Sequence, residues 1–196
     1  SAAPPPGSSP APSLPVITPV TVRTSRSEGL GVLCWAGKAL GPGCGMALLT
    51  VAHLLPDHAT AERATCTLAG PHGRRLKLLT GTGFACSPAP PPGSPPGRGC
   101  LDYCLVAVEP PQLDASLLPL PRLDGSAQCC AGDAVAVVAA DTSALAGARH
   151  CVGAASGGRR GALRYDCATA DGASGAPVVR CDSGALVAVH RAGNGR

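Results

Sequence analysis

An all-β fold is predicted by three features of the chain. Short runs of small aliphatic and β-branched residues recur at 16–22, 30–35, 46–51, 64–68, 74–80, 101–108, 134–140 and 185–189, most of them bounded by glycine, proline or a polar turn. No segment sustains the 3.6-residue apolar period of an amphipathic helix, so helix is expected to be minor. A length of 196 residues is enough for a sizeable core, built as one larger β domain or as two small barrels.

Residues 1–15 are almost all Pro, Ser, Ala and Gly and cannot bury enough apolar surface to offset the entropy of ordering. Residues 1–20 are therefore read as a disordered, Pro-rich linker. The first clear strand, 30–35, closes at the turn Gly37-Lys38. The run 46–51 leads straight into Ala52 and His53, and Pro56 ends the local turn, which places His53 just past a strand end. Two further strands flank the turn Gly70-Pro71-His72-Gly73. Residues 87–98 form a low-complexity insertion with polyproline tendency. Asp102 then opens an otherwise apolar strand, where a carboxylate needs a partner or a hydrogen-bond network. Residues 110–128, with prolines and leucine pairs but no period, read as a surface connection. In the second half, 134–140 is a continuous small-aliphatic strand and 156–161 a Ser/Gly/Arg-rich loop.

Composition narrows the setting. Aromatics are 2% of the chain, so Trp35, Phe84, Tyr103 and Tyr165 are isolated large pieces in a core of Ala, Val and Leu. No run has membrane-spanning length, so no membrane partner is expected. No secretory signal is visible, and the chain reads as a fragment. The formal charge of +4 permits an anionic partner without requiring one; Arg159, Arg160 and Arg164 read as a solvated cluster, and nucleic acid enters at most indirectly. Eleven scattered cysteines, an odd number, suit reduced thiols in an intracellular protein better than a disulfide framework. Cys100 and Cys104 with Cys129 and Cys130 could be drawn as metal ligands, but the spacing matches known zinc sites loosely, and buried cysteines are common core residues.

Chemistry concentrates in residues 165–178. Ser174 follows Gly172 by two positions, and glycine's backbone freedom lets the N–H groups of residues 172 and 174 point at one spot, as an oxyanion hole requires. Gly175 keeps the other side of the serine uncrowded, and Pro177 with Val178 and Val179 returns the chain to extended structure. A serine hydroxyl is a poor nucleophile near neutral pH. A histidine must take its proton, and a carboxylate must hold that histidine in the right tautomer. His53, Asp102 and Ser174 supply these roles, each at a strand end or turn. Each also has an ordinary alternative: a surface histidine like His58, His72 or His150, a capped strand-start acid, and a Gly-rich turn.

The blocks Leu49-Thr50-Val51-Ala52-His53, Asp102-Tyr103-Cys104-Leu105 and Asp171-Gly172-Ala173-Ser174-Gly175-Ala176-Pro177 resemble the three signature blocks of trypsin/chymotrypsin-fold serine proteases, over about residues 29–193. The resemblance implies two six-stranded Greek-key barrels with the active site between them, here an N-terminal barrel at 21–112 and a C-terminal, incomplete one at 113–196. It also implies His53 as general base and then acid, Asp102 as its orienter, Ser174 as nucleophile and the Gly172 and Ser174 N–H groups as oxyanion hole. Ala173 stands where secreted trypsins carry the acid that receives a freed N-terminus, and Leu54 stands where they carry a cysteine. The pattern around Thr169, Ser174 and residues 184–190 is more similar to intracellular, nuclear trypsin-like proteases of vertebrates. By the same resemblance Ala168, Thr169 and His190 line the substrate's primary pocket. Ala168 replaces the acid that selects Lys and Arg, while Thr169 and His190 match positions that bind Glu or Gln; large apolar P1 residues are the competing expectation. Serine endopeptidase activity on protein or peptide substrates follows, with no metal or organic cofactor implied. The rivals are a catalytically silent protease-fold module that binds peptides, and a disulfide-rich extracellular adhesion domain.

Overall fold

Two curled antiparallel sheets carry the fold. In chain order the strands are β1 (Pro19–Arg23), β2 (Glu28–Trp35), β3 (Met46–Thr50), β4 (Thr65–Leu68), β5 (Arg75–Leu76), β6 (Phe84–Cys86), β7 (Cys104–Ala107), β8 (Ala134–Ala140), β9 (Ala148–Arg159), β10 (Ala162–Tyr165), β11 (Pro177–Arg180) and β12 (Leu186–Val189). Among the described residues one six-residue helix, α1 (His58–Arg63), interrupts them. The computed structural model describes residues 17–37, 39–41, 44–69, 73–88, 101–110, 120–123, 128–140, 148–159 and 162–191. The Pro-rich start through residue 16, the insertion from 89 onward, most of the 110–128 connection, and Cys100 lie outside the described residues.

The first sheet has the order β5-β4-β1-β2-β3-β7-β6, and the second β10-β9-β8-β11-β12. The described strands thus divide seven and five, where the resemblance implies six and six. The first sheet curls until its ends meet: Leu79 N–H donates to Ala107 O at 2.7 Å, Glu109 N–H to Lys77 O at 3.0 Å, and Leu78 bridges Val108. Such closure removes the exposed edge that an open sheet would leave for aggregation.

Alternation along β2 sends its residues to different cores. Leu33 packs with Val20, Leu48, Val51, Leu55 and Val106 inside the first sheet. Leu30 instead packs on Val135, Val137, Ala176 and Val178, and Val32 on Ala136, Val138 and Val179, all from the second sheet. One strand is therefore shared between both cores. Burying an aliphatic side chain of this size contributes about 1.5–3 kcal/mol, so Leu30 and Val32 are substantial anchors of one sheet on the other.

Three local features differ from the sequence reading. Residues 156–159 belong to β9 and not to a loop, because Gly157, Gly158 and Arg159 ladder onto Arg164, Leu163 and Ala162 of β10. The segment after Pro56 forms α1, whose Asp57 cap accepts the Thr60 N–H at 2.7 Å. Asp102 precedes β7 by two residues and does not lie within it.

Cys34, Cys44, Cys66, Cys86, Cys104, Cys129, Cys130 and Cys181 are free thiols. Burial pushes the Cys34 and Cys66 thiols up to about 12, so they behave as small core hydrophobes. No cluster of three or more His, Cys, Asp or Glu side chains able to hold a metal occurs among the described residues. No helix among the described residues is long and apolar enough to cross a membrane.

Candidate active site

Strand register delivers the acid to the histidine. β3 pairs with β7 antiparallel, with Thr50 opposite Cys104, so Asp102 comes level with the turn that follows β3. In that turn Val51, Ala52, Leu54 and Leu55 are all buried and only His53 projects. The Asp102 side chain is 5% exposed and accepts twice from His53: Oδ1 from the main-chain N–H at 3.1 Å, and Oδ2 from Nδ1 at 2.8 Å. An ionised carboxylate only accepts, so Nδ1 carries the hydrogen and Nε2 is left with its lone pair. Burial on its own raises the Asp102 carboxyl's pKa. The His53 hydrogen bonds, the His53 ring and the Arg191 guanidinium outweigh it and hold the group below the usual carboxylate range.

The serine is positioned by backbone contacts from both sheets. Leu30 N–H, from β2, donates to Ser174 O at 2.6 Å, and Gly175 N–H donates to His190 O at 2.6 Å. Thr50, fully buried at the end of β3, donates its hydroxyl to Leu30 O at 2.6 Å. Gly175 has φ +86°, and a Cβ there would lie 1.8 Å from Leu30 O and 2.6 Å from Thr50 Oγ1. Only glycine fits that crossing.

Gly172 has φ +84°. Neither its N–H nor that of Ser174 has a hydrogen-bond partner among the described residues, whereas Ala173 N–H between them turns inward to Ala170 O at 3.3 Å. Among the described residues, two unpartnered donors thus flank an internally satisfied one. Ser174 Oγ donates to the Arg191 carbonyl at 3.2 Å, and no hydrogen bond joins it to His53 among the described residues. Catalytic hydrogen bonds are often long or open before substrate arrives.

Beside the serine, His190 is buried, and both of its ring nitrogens have partners. Nδ1 lies 2.6 Å from the Tyr165 hydroxyl and Nε2 3.2 Å from Thr169 Oγ1. Burial pushes the His190 imidazole below its ordinary pKa and the Tyr165 phenol above its own, so both are neutral near pH 7. Ala168 is exposed next to Thr169.

The structure thus joins His53 to Asp102 and Thr169 to His190, and brings Ser174 against the residue that follows His190. Two residues that sequence reasoning gave no role belong to this site. Tyr165, at the end of β10, holds the far side of the His190 ring. Arg191 places Nε 3.1 Å from Asp102 Oδ2. Tyr165 could have been flagged as one of four aromatic residues in the chain; nothing in the sequence singles out Arg191.

The family model for the trypsin-like peptidase domain matches residues 29–189, from β2 through β12. Among solved structures, a serine endoprotease from Yersinia pestis is similar with a TM-score of 0.54 and 20% identity, over 92% of this chain and 54% of that one. At that identity the likeness is one of fold, and the chain spans about half the length of that structure. Comparison with curated proteins finds no match. Two curled sheets, a family match running across both and a serine-endoprotease neighbour for the fold lead to one assignment: the chain belongs to the trypsin-like peptidase domain family, the trypsin/chymotrypsin-fold serine proteases.

Proposed function

We propose that the chain is an endopeptidase working through an acyl-enzyme. His53 Nε2 takes the hydrogen of Ser174 Oγ as that oxygen attacks the scissile carbonyl, then returns it to the leaving amine; water repeats the sequence to release the acyl group. Asp102 keeps the hydrogen on Nδ1. The Gly172 and Ser174 N–H groups receive the oxyanion, each such donor contributing on the order of 10²–10³ in rate. Before attack the Ser174 hydroxyl turns from the Arg191 carbonyl toward His53. The observation that carries this reading is the Asp102–His53 pair: a 5% exposed carboxylate bonded at 2.8 Å to the ring nitrogen, which leaves Nε2 as a base. A fluorophosphonate probe is expected to label Ser174 in the folded protein. Absence of labelling would favour the silent peptide-binding module instead.

The pocket reading is polar. Tyr165 OH donates to His190 Nδ1, which puts the ring hydrogen on Nε2, where it faces Thr169 and is available to the side-chain carbonyl or carboxylate of a P1 Gln or Glu. An apolar P1 side chain lacks the acceptor that Gln or Glu brings to this Nε2–H, and a site built to hydrogen-bond its substrate discriminates beyond the ~10²-fold reach of a purely apolar pocket. Cleavage of a peptide library is expected to select Gln or Glu at P1, and His190→Ala to abolish that selection. Enrichment of Phe, Tyr or Leu, unaltered by His190→Ala, would overturn the polar pocket and leave the triad untouched. An intracellular, nuclear setting belongs to this proposal and rests on the sequence pattern around Ser174 and His190.

A further inference from the structure

Arg191 touches both ends of the triad. Its Nε lies 3.1 Å from Asp102 Oδ2, the same oxygen that accepts from His53 Nδ1 at 2.8 Å, and its carbonyl accepts from Ser174 Oγ at 3.2 Å. The Asp102 side chain is 5% exposed and that of Arg191 30%, so the ion pair is sheltered on the carboxylate side. A guanidinium keeps its charge at every pH the protein meets.

We propose that Arg191 is a positioning residue for the triad: it clamps Asp102 in the orientation that meets His53, and it tempers the pull of that carboxylate on the imidazolium formed during reaction. The first effect follows from geometry. Oδ1 is fixed by a hydrogen bond from the His53 main-chain N–H, and Oδ2 by a hydrogen bond from His53 Nδ1 and the ion pair with Arg191 Nε, so the carboxylate cannot rotate without losing all three contacts. The second follows from charge. A permanent cation paired with Oδ2 repels the imidazolium that the same oxygen attracts, an effect moderated by the partial exposure of both side chains, 45% for His53 and 30% for Arg191.

The groups that face this pair come from four elements. His53 comes from the turn after β3 and Arg191 from the end of β12. The Cys86 thiol of β6 lies in the fields of Asp102 and of Asp57, the cap of α1, and is pushed up mainly by burial. A neutral thiol and a second carboxylate cannot replace a cation, which leaves Arg191 as the cation that acts on Asp102 besides the His53 ring itself among the described residues.

The inference rests on the triad reading above, and its test is built so that the two can fail separately. In kcat/KM against pH, Arg191→Gln is expected to move the acid limb to higher pH by about one unit, since removing a nearby cation favours the protonated ring. Arg191→Lys, which keeps the charge, should leave the limb within a few tenths of a unit. An acid limb of Arg191→Gln superimposed on that of the wild type overturns the proposal, as does Arg191→Lys moving it equally far. A second measurement needs no turnover. The proton between His53 Nδ1 and Asp102 Oδ2 should appear far downfield by NMR and move further downfield in Arg191→Gln. An unchanged resonance overturns the role of Arg191 whether or not the protein hydrolyses peptides. A displaced resonance in a protein that cleaves nothing supports the clamp and removes the endopeptidase reading.

Discussion

Ser174→Ala is expected to reduce peptide hydrolysis about 10⁶-fold, the scale seen when a triad nucleophile is removed. The loss should be chemical and not structural. The loop is held through its main chain, by Leu30 N–H on Ser174 O and Gly175 N–H on His190 O, and alanine keeps both contacts. The hydroxyl's own hydrogen bond goes to the Arg191 carbonyl, on a half-buried residue that water can reach. Thermal unfolding of the variant should therefore match the wild type, while activity of the purified protein on a P1-Gln peptide disappears. His53→Ala should behave alike, because members of a triad act as a unit. Hydrolysis that survives Ser174→Ala would show that the nucleophile is another residue.

Asp102→Asn should cost about 10⁴ in kcat, the scale of a wrong-tautomer defect. The environment of the carboxylate explains why an isosteric change is so damaging. Two hydrogen-bond donors and a cation converge on two oxygens: the His53 N–H on Oδ1, His53 Nδ1 on Oδ2, and the Arg191 guanidinium paired with Oδ2. An amide offers one oxygen. If its NH₂ takes the Oδ1 place, it opposes the His53 N–H and disturbs the turn. If it takes the Oδ2 place, it opposes Arg191 and donates to Nδ1, which moves the ring hydrogen to Nε2 and leaves no base for the serine. Steady-state kinetics should show the loss in kcat. Full activity in Asp102→Asn would mean that the carboxylate does not set the tautomer.

Much of this arrangement is legible in the chain because the physics that encodes it is local. The β3 run ends where small apolar residues give way to an exposed His53 between buried Ala52 and Leu54, and a lone carboxylate ahead of the apolar run 104–107 announces a need for a partner. The glycines around Ser174 mark backbone angles closed to other residues, and two of them, Gly172 and Gly175, have φ near +85°. What escapes sequence reasoning is set by tertiary partners. Strand β9 runs through residues 153–158, rich in Gly and Ser, because β10 supplies its ladder, a contact invisible to local propensity. β6, three residues long, and α1, six, are too short to show a period. Arg191 acquires its role only because β12 ends beside β7's approach, bringing residue 191 to residue 102. Tyr165 likewise finds His190 across 25 positions of sequence.

The crossing of Gly175 over Leu30 has a consequence for timing. His53 and Asp102 lie beside β3 and β7 of the first sheet and Ser174 just before β11 of the second, and the serine loop takes its shape from a β2 peptide that Thr50 in turn fixes. A nascent chain that has folded only its first sheet holds an acid and a base with nothing to activate. The second sheet alone holds a serine whose loop lacks its mould. On the endopeptidase reading, hydrolysis therefore requires both sheets to have closed on each other, so an unfinished or partly opened molecule is expected to cleave neither its neighbours nor itself.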